Sequence, residues 1–402
     1  MRRLLILSTS IIATVLLFAQ ARQRAVRGPA TAETVAQNAG APLAGLTAIE
    51  ASAFNTGRGA FTRQVDAATG LGPVFNDDSC GACHSAPAAG GGSPRTVTRF
   101  SRRVNGTFDA LTELGGSLEQ SRAIGPRNGS THVFAPENVP AEATIVVQRR
   151  TTPLFGLGLV DATPDATFIA LAAAEAARGD GVTGRVNMVD NIRAGMKTAG
   201  RFGWKAQVPT LLQFSGDALV NEMGITTPDF PNENCPQGNC AELAFNPAPG
   251  LNDNGNMAAA LNNYMTTLSA PARGLQTADT AAGAVLFNDA GCAACHTATL
   301  TTGSSPVAAL DHKIYHPYSD FLLHDMGALG DGLEMGDSTG SEMRTEPLWG
   351  LRFVNRYLHD GRATTLDQAI AAHAGQGSAA RDRFNALTPA ARAQLIAFLQ
   401  SL

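Results

Sequence analysis

The chain has 402 residues, 44% of them hydrophobic, with 30 Lys and Arg against 34 Asp and Glu. That length exceeds one modest domain. A formal charge of −4 without a basic stripe argues against nucleic acid as a partner.

Residues 1–21 read as an export signal. Arg2 and Arg3 precede an uncharged apolar run, Leu4 to Phe18, and Ala19-Gln20-Ala21 fits a small-residue cleavage site. The run is short for a span, which needs ~20 residues, so no membrane span is expected after cleavage. Export implies a periplasmic, disulfide-permissive location. Residues 22–45, rich in Ala, Gly and Gln, read as a linker or loosely held arm.

Two copies of Cys-x-x-Cys-His follow, Cys80-Gly81-Ala82-Cys83-His84 and Cys292-Ala293-Ala294-Cys295-His296. The pentapeptide is the attachment site of c-type haem. Its two thiols reach the vinyl groups, and the adjacent His lies under the iron as the proximal ligand. A thioredoxin-like redox pair would need a βαβ pattern, which surrounds neither copy. A zinc ribbon would place the pairs much closer together. Two covalently bound haem c groups are therefore expected, on Cys80, Cys83 and His84 and on Cys292, Cys295 and His296. The remaining two cysteines, Cys235 and Cys240, suit a small loop disulfide.

Between the motifs, Thr144–Gln148 is the best strand candidate, and Asp165 to Arg178 reads as a helix. Residues 181–250, dense in Gly, Pro and Asn, read as long ordered loops wrapped on a cofactor. A boundary falls near Ser269-Ala270-Pro271. Beyond it, Asp279 is expected to cap a helix carrying Ala282, Val285, Leu286 and Phe287 that runs into the second motif. Thr388-Pro389 opens a last helix with Leu395, Phe398, Leu399 and Leu402 on one face. The expected fold is mainly α, with two cytochrome c-like haem domains, long ordered loops and a few short strands. Residues 46–270 are expected to form a larger N-terminal domain around the first haem, and residues 271–402 a C-terminal cytochrome c domain.

The chain resembles the di-haem oxidoreductase, putative peroxidase family, sometimes labelled thiol oxidoreductases. The resemblance rests on Phe75 through His84, Thr152 through Val160, Gly200 through Ala206 and Glu222 through Ile225. It extends to Tyr315 through Gly327, Arg344 through Arg352 and Tyr357 through Arg362. The family is similar in turn to bacterial di-haem cytochrome c peroxidases, their methylamine-enzyme-maturing relatives and the rubber oxygenases. The thiol label follows from cysteine pairs that haem would consume.

The resemblance implies roles. His84 and His296 each fill one axial position of an iron, and what fills the other decides between carrier and catalyst. The segment from Tyr357 ends at His373, where peroxidase relatives usually place a Met ligand of the electron-transfer haem. His373 is thus the expected second ligand there, with Met326 as competitor, and two imidazoles imply a lower potential than His–Met. Glu222, in a Glu-Met-Gly string, is the expected distal proton carrier. Trp204 is the expected electron relay, with Trp349 as second candidate. His359, Arg362, His132, Arg201 and Arg344 are candidate propionate donors, and a loop His such as His132 could close the first iron. Asn252-Asp253-Asn254-Gly255-Asn256 offers oxygen donors for Ca²⁺. The implied activity is reduction of peroxide or another small oxidant, with a small redox protein as electron donor. An oxygenase acting on an apolar substrate and a two-haem electron carrier are the alternatives.

Overall fold

The computed structural model describes residues 36–402. The expected signal (1–21) and residues 22–35 of the expected arm lie outside the described residues. Residues 36–45 are pinned rather than loose. Ala36–Gln37 pairs in parallel with Ala270–Pro271, Leu43 is buried, and the Ala41 carbonyl accepts from both the backbone and the hydroxyl of Ser269.

Ten α-helices run in chain order among the described residues. α1 (Ala48–Thr62) opens with a capping box between Thr47 and Glu50. α2 (Cys80–Cys83) is the first haem motif, capped by Ser79. There follow α3 (Leu157–Asp161), α4 (Asp165–Arg178), α5 (Leu211–Met223) and α6 (Asn256–Thr267). The last four are α7 (Ala278–Asp289), α8 (Leu366–Ala371), α9 (Ser378–Asn385) and α10 (Pro389–Gln400). α4 matches the expected span, and α10 starts at Pro389 behind the Thr388 cap, as its sequence reads. The start of α7 differs: Thr277 caps it, and Asp279 sits in the first turn, where its charge favours the helix N-terminus.

The strands are more extensive than expected. β1 (Thr96–Val104) pairs antiparallel with β2 (Thr107–Asp109), β3 (Ser117–Leu118) and β4 (Ile145–Arg150). The β1–β4 ladder runs from Thr96 opposite Arg150 to Ser101 opposite Ile145. β4 contains the strand expected at Thr144–Gln148. β1 carries three arginines, which hide its alternation. The segment 181–250 is not all loop: β5 (Met188–Asn191) and β6 (Met196–Ala199) form a hairpin, and α5 lies beyond it. Cys235 and Cys240 form the expected disulfide. Further on, β7 (Leu323–Asp325) pairs antiparallel with β8 (Glu342–Arg344).

The two haem motifs share a local design. α1 contains Gly57 followed four residues later by Phe61, and α7 contains Gly283 followed four residues later by Phe287. A Cβ at Gly57 would lie 2.2 Å from the Ala260 carbonyl of α6, and one at Gly283 would lie 2.0 Å from the Gln394 carbonyl of α10. Each glycine thus lets a later helix cross in direct backbone contact. Phe61 packs on Tyr264 of α6 (ring centroids 5.0 Å), and Phe287 on Phe398 of α10 (5.3 Å). The same two phenylalanines face His84 at 6.1 Å and His296 at 6.4 Å. Helix crossing, aromatic pair and motif histidine therefore occur twice.

The described residues form a single compact unit with two buried clusters. The larger draws on residues 43–322. The smaller consists of Phe287, Ala290, Leu366, Phe384, Leu395, Phe398, Leu399 and Leu402. Leu300, Leu310, Tyr315, Phe321 and Leu322 belong to the larger cluster, although they follow the boundary expected near residue 270.

Candidate haem sites

The His84 Nδ1 lies 2.9 Å from the Thr152 carbonyl and 3.1 Å from that of Gly91. A carbonyl can only accept, so Nδ1 carries the proton and Nε2 is left with its lone pair. Thr152 reaches this point because β4 ends two residues earlier and Pro153 holds the chain extended. The His296 Nδ1 is 2.9 Å from the Tyr318 carbonyl. The His373 Nδ1 is 2.8 Å from the Ala369 carbonyl, one of those left unpaired at the end of α8. Burial pulls the His84 and His296 imidazoles down to about 4 and lowers His373 as well. All three are neutral at ordinary pH.

This arrangement suits iron ligation, because a metal-binding histidine usually gives its other N–H to a carbonyl or carboxylate. The other five histidines have different partners among the described contacts. His132 Nε2 meets Glu242 at 3.1 Å, His312 meets Asp311, and His316 meets the Thr299 hydroxyl. His324 lies between carboxylates. Burial draws the His359 ring down to about 4, and it packs edge-on against Trp204. His373 also acts electrostatically on His296, so both imidazoles belong to the second motif. Met326 is close by: a Cβ at Gly377 would lie 3.2 Å from both Met326 Cε and His373 Cδ2.

The motif thiols fit haem attachment as well. Cys80, Cys83, Cys292 and Cys295 are unbridged, although each pair has disulfide-like spacing. Burial pushes Cys80 up to about 12 and Cys292 to about 11 and raises the other two. A redox-active dithiol needs the opposite shift.

Glu222 lies in the last turn of α5, over the first motif. Its backbone carbonyl, unpaired at the helix end, accepts from the Asn76 N–H at 2.8 Å. Its Oε2 accepts from the Asn76 side-chain amide at 2.9 Å. The amide is fixed in that sense because Asn76 Oδ1 accepts from the backbone and hydroxyl of Ser121, both at 3.1 Å. Burial pushes the Glu222 carboxyl up, while Asn76 and Arg99 pull it back. Its charge raises Cys80 and Cys83, so the carboxyl faces the site.

Trp204 lies on a chain of contacts between the motifs. Its indole N–H points at the Arg150 carbonyl (3.4 Å), two residues before the carbonyl that holds His84. The Arg150 guanidinium covers the ring at 5.3 Å. The Trp204 carbonyl accepts from the Arg344 N–H of β8. β8 pairs with β7, where His324 approaches the Cys295 sulfur at 3.6 Å. Beside Trp204, buried Lys205 and Arg149 both bind Asp331, at 3.0 and 2.6 Å.

The family model for di-haem oxidoreductase, putative peroxidase, matches residues 137–402. The chain belongs to this family. Its second motif lies inside the matched residues and its first precedes them. The family implies two haem cofactors, and this member is a haem oxidoreductase. A MauG-like protein associated with microbial copper homeostasis is 14% identical, covers 93% of this chain and 95% of its own, and gives a TM-score of 0.40. The diheme peroxidase BthA from Burkholderia thailandensis E264 is 16% identical over 87% of this chain and 86% of its own, at 0.39. Hydrazine synthase of Kuenenia stuttgartiensis is 14% identical over 100% of both chains, at 0.37. Likenesses at this level carry no argument about activity. No curated protein matches the chain.

The remaining candidates of this oxidoreductase separate clearly. Arg201 is a staple whose guanidinium binds the carbonyls of Val160 and Thr163 and the Asp165 carboxylate. Arg362 pairs with neighbouring Asp360. His132 stacks on Phe245 at 4.3 Å. Arg344 binds Gly203, Thr345 and Glu346 beside Trp204. Trp349 packs on Tyr315 at 6.1 Å and against Gly156. In the Asn252–Asn256 loop, both Asp253 carboxylate oxygens accept from the start of α6, at Met257 and Ala258. That carboxylate caps the start of α6. Sequence reasoning missed Asn76 and Arg150. The repeated Gly-x-x-x-Phe ahead of each motif was also missed, and it was legible as a repeat.

Proposed function

We propose that this is a periplasmic peroxidase-type enzyme with two covalently attached haem c groups. The first is held by Cys80, Cys83 and His84, and the second by Cys292, Cys295, His296 and His373. One observation carries the reading. The second motif has two neutral imidazoles with Nδ1 committed to a carbonyl, and the first has one such imidazole and a carboxyl. That asymmetry fits one closed iron and one open iron. Bound haem supplies one-electron chemistry and, at an open axial position, a place for a small oxidant.

The chain's own residues then act on protons and position. Glu222 Oε takes the proton of the nearer peroxide oxygen and returns it to the farther one, and a buried carboxyl has the affinity for both steps. Asn76 holds that carboxyl in place. His84 and His296 stay neutral and oriented because Thr152, Gly91 and Tyr318 hold their Nδ1 protons. Trp204, stacked under Arg150, lies on the contact path between the motifs and serves as the relay for electrons delivered by a small redox protein. A two-haem carrier would need a second axial side chain at the first motif. His132, the sequence candidate, is instead bound to Glu242 and Phe245.

An electron paramagnetic resonance spectrum of the oxidised holoprotein tests the reading. High-spin and low-spin ferric signals together are expected; two low-spin signals in the oxidised protein, with the haem that stays ferric after one-electron reduction still low-spin, would sink it. Glu222→Gln should keep both haems and slow the peroxide reaction about 10²-fold or more, the scale of lost acid–base help.

A further inference from the structure

A buried polar cluster stands against the second motif and has no part in the function proposed above. Glu175 of α4, Asp320 and His324 are 1%, 0% and 2% exposed. His324 Nε2 lies 3.0 Å from Asp320 Oδ2 and 3.8 Å from Glu175 Oε2. Its Nδ1 lies 2.9 Å from Gln376 Oε1 and 3.6 Å from Cys295 Sγ. The Gln376 amide cannot be turned round. Its oxygen also accepts from the Thr183 N–H, and its nitrogen donates to the Thr183 carbonyl and hydroxyl.

Both ring nitrogens of His324 thus face acceptors, so both are protonated and the ring is an imidazolium. Burial opposes that charge, but the bond to the Asp320 carboxylate raises His324. Asp320, the nearer carboxylate, balances it. Glu175 is then a second carboxyl with no cation of its own in a dry pocket. Burial and the neighbouring Asp320 push it up to about 7, against the pull of His324. The pocket is closed by Gly184, whose N–H binds Glu175 Oε2 at 2.8 Å. A Cβ there would lie 2.6 Å from that oxygen and 2.8 Å from His324 Cε1.

The other charged groups on the surrounding elements are engaged. Arg178 of α4 binds Asp180 and the Ala294 carbonyl. Arg185 binds Glu342 of β8. Arg381 binds Asp382 and the His373 carbonyl. His296 and His373, the expected axial ligands, are neutral.

We propose that Glu175 is a proton-binding site coupled to the second haem, taking up a proton as that haem takes up an electron. The inference rests on the reading that Cys292, Cys295 and His296 attach a haem. One electron arrives from the redox partner, one proton comes from solvent to the Glu175 carboxylate, and both leave on reoxidation. An added electron lowers the positive charge beside the Cys295 sulfur. Holding a neutral Glu175 then becomes easier than holding a second buried anion.

The test is a spectroelectrochemical titration of the holoprotein across neutral pH, for wild type and Glu175→Gln. Glutamine keeps the acceptor for Gly184 and removes the titration. In wild type the low-spin wave of the second haem should fall by up to about 59 mV per pH unit, a tenfold change in equilibrium constant. In Glu175→Gln it should stay flat, with the first wave unchanged. A pH-independent second wave in wild type, or an undiminished slope in the variant, overturns the proposal. An alkaline pyridine spectrum counting two haems per chain is taken first. A count of one refutes the attachment reading instead.

Discussion

At the residue scale, the proton positions matter most, because a ligating histidine and a decorative one differ only in what holds Nδ1. Three carbonyls (Thr152, Tyr318, Ala369) separate His84, His296 and His373 from the other histidines, and none of those partners is near its histidine in a legible motif except Ala369, four residues before His373. Asn76 has the same character. Its amide favours the ionised form of Glu222, so Asn76→Ala should raise the carboxyl's pKa. The base form is then lost at higher pH, and the acid limb of the peroxide pH–rate profile should move to higher pH; an unmoved limb would mean that Asn76 does not hold the reacting carboxyl. Asp331 makes a different prediction. Burial alone would raise its pKa, but Arg149 and Lys205 hold the carboxyl below the usual range. Asp331→Asn strands two buried cations and should cost about 3–5 kcal/mol in denaturant unfolding.

At the element scale, each haem motif depends on a helix crossing whose closeness a single glycine sets. In Gly283→Ala the new methyl meets the Gln394 carbonyl, so α7 and α10 must separate, at about 1–3 kcal/mol. Phe287 and Phe398 move with them, and the low-spin signal of the second haem should change while the first stays as it was. Equal disturbance of both signals would show that the crossings are not local supports. Of the crossing helices, α7 and α10 were readable from a cap and an apolar face, while α1 and α6 were not. Nor was α5, because Gly, Pro and Asn crowd its flanks. Its last turn carries Glu222, so a missed helix places the proposed proton carrier.

At the scale of the whole molecule, the second cluster is small: eight buried side chains hold α7, α8, α9 and α10 together. Haem bound between α7, α8 and α10 would add apolar volume to it. Protein made without haem attachment should therefore be cut by protease within residues 366–400 while holoprotein resists, and equal resistance would show that the side chains suffice. Leu300, Leu310, Tyr315, Phe321 and Leu322 pack in the larger cluster, while Cys292 and Ala293 of the second motif pack on the smaller one. The sequence by itself determined the cofactor chemistry, the family and the terminal helices, because two thiols and a histidine at fixed spacing, long family strings and helix caps are all local in the chain. Only the tertiary structure decided which histidines are neutral and oriented, where Glu222 and Trp204 lie relative to the motifs, and that Glu175 meets His324. Most of those facts depend on backbone carbonyls and buried charges that lie far apart in the chain, such as Thr152 from His84 and Asn76 from Glu222, and no local spacing encodes them.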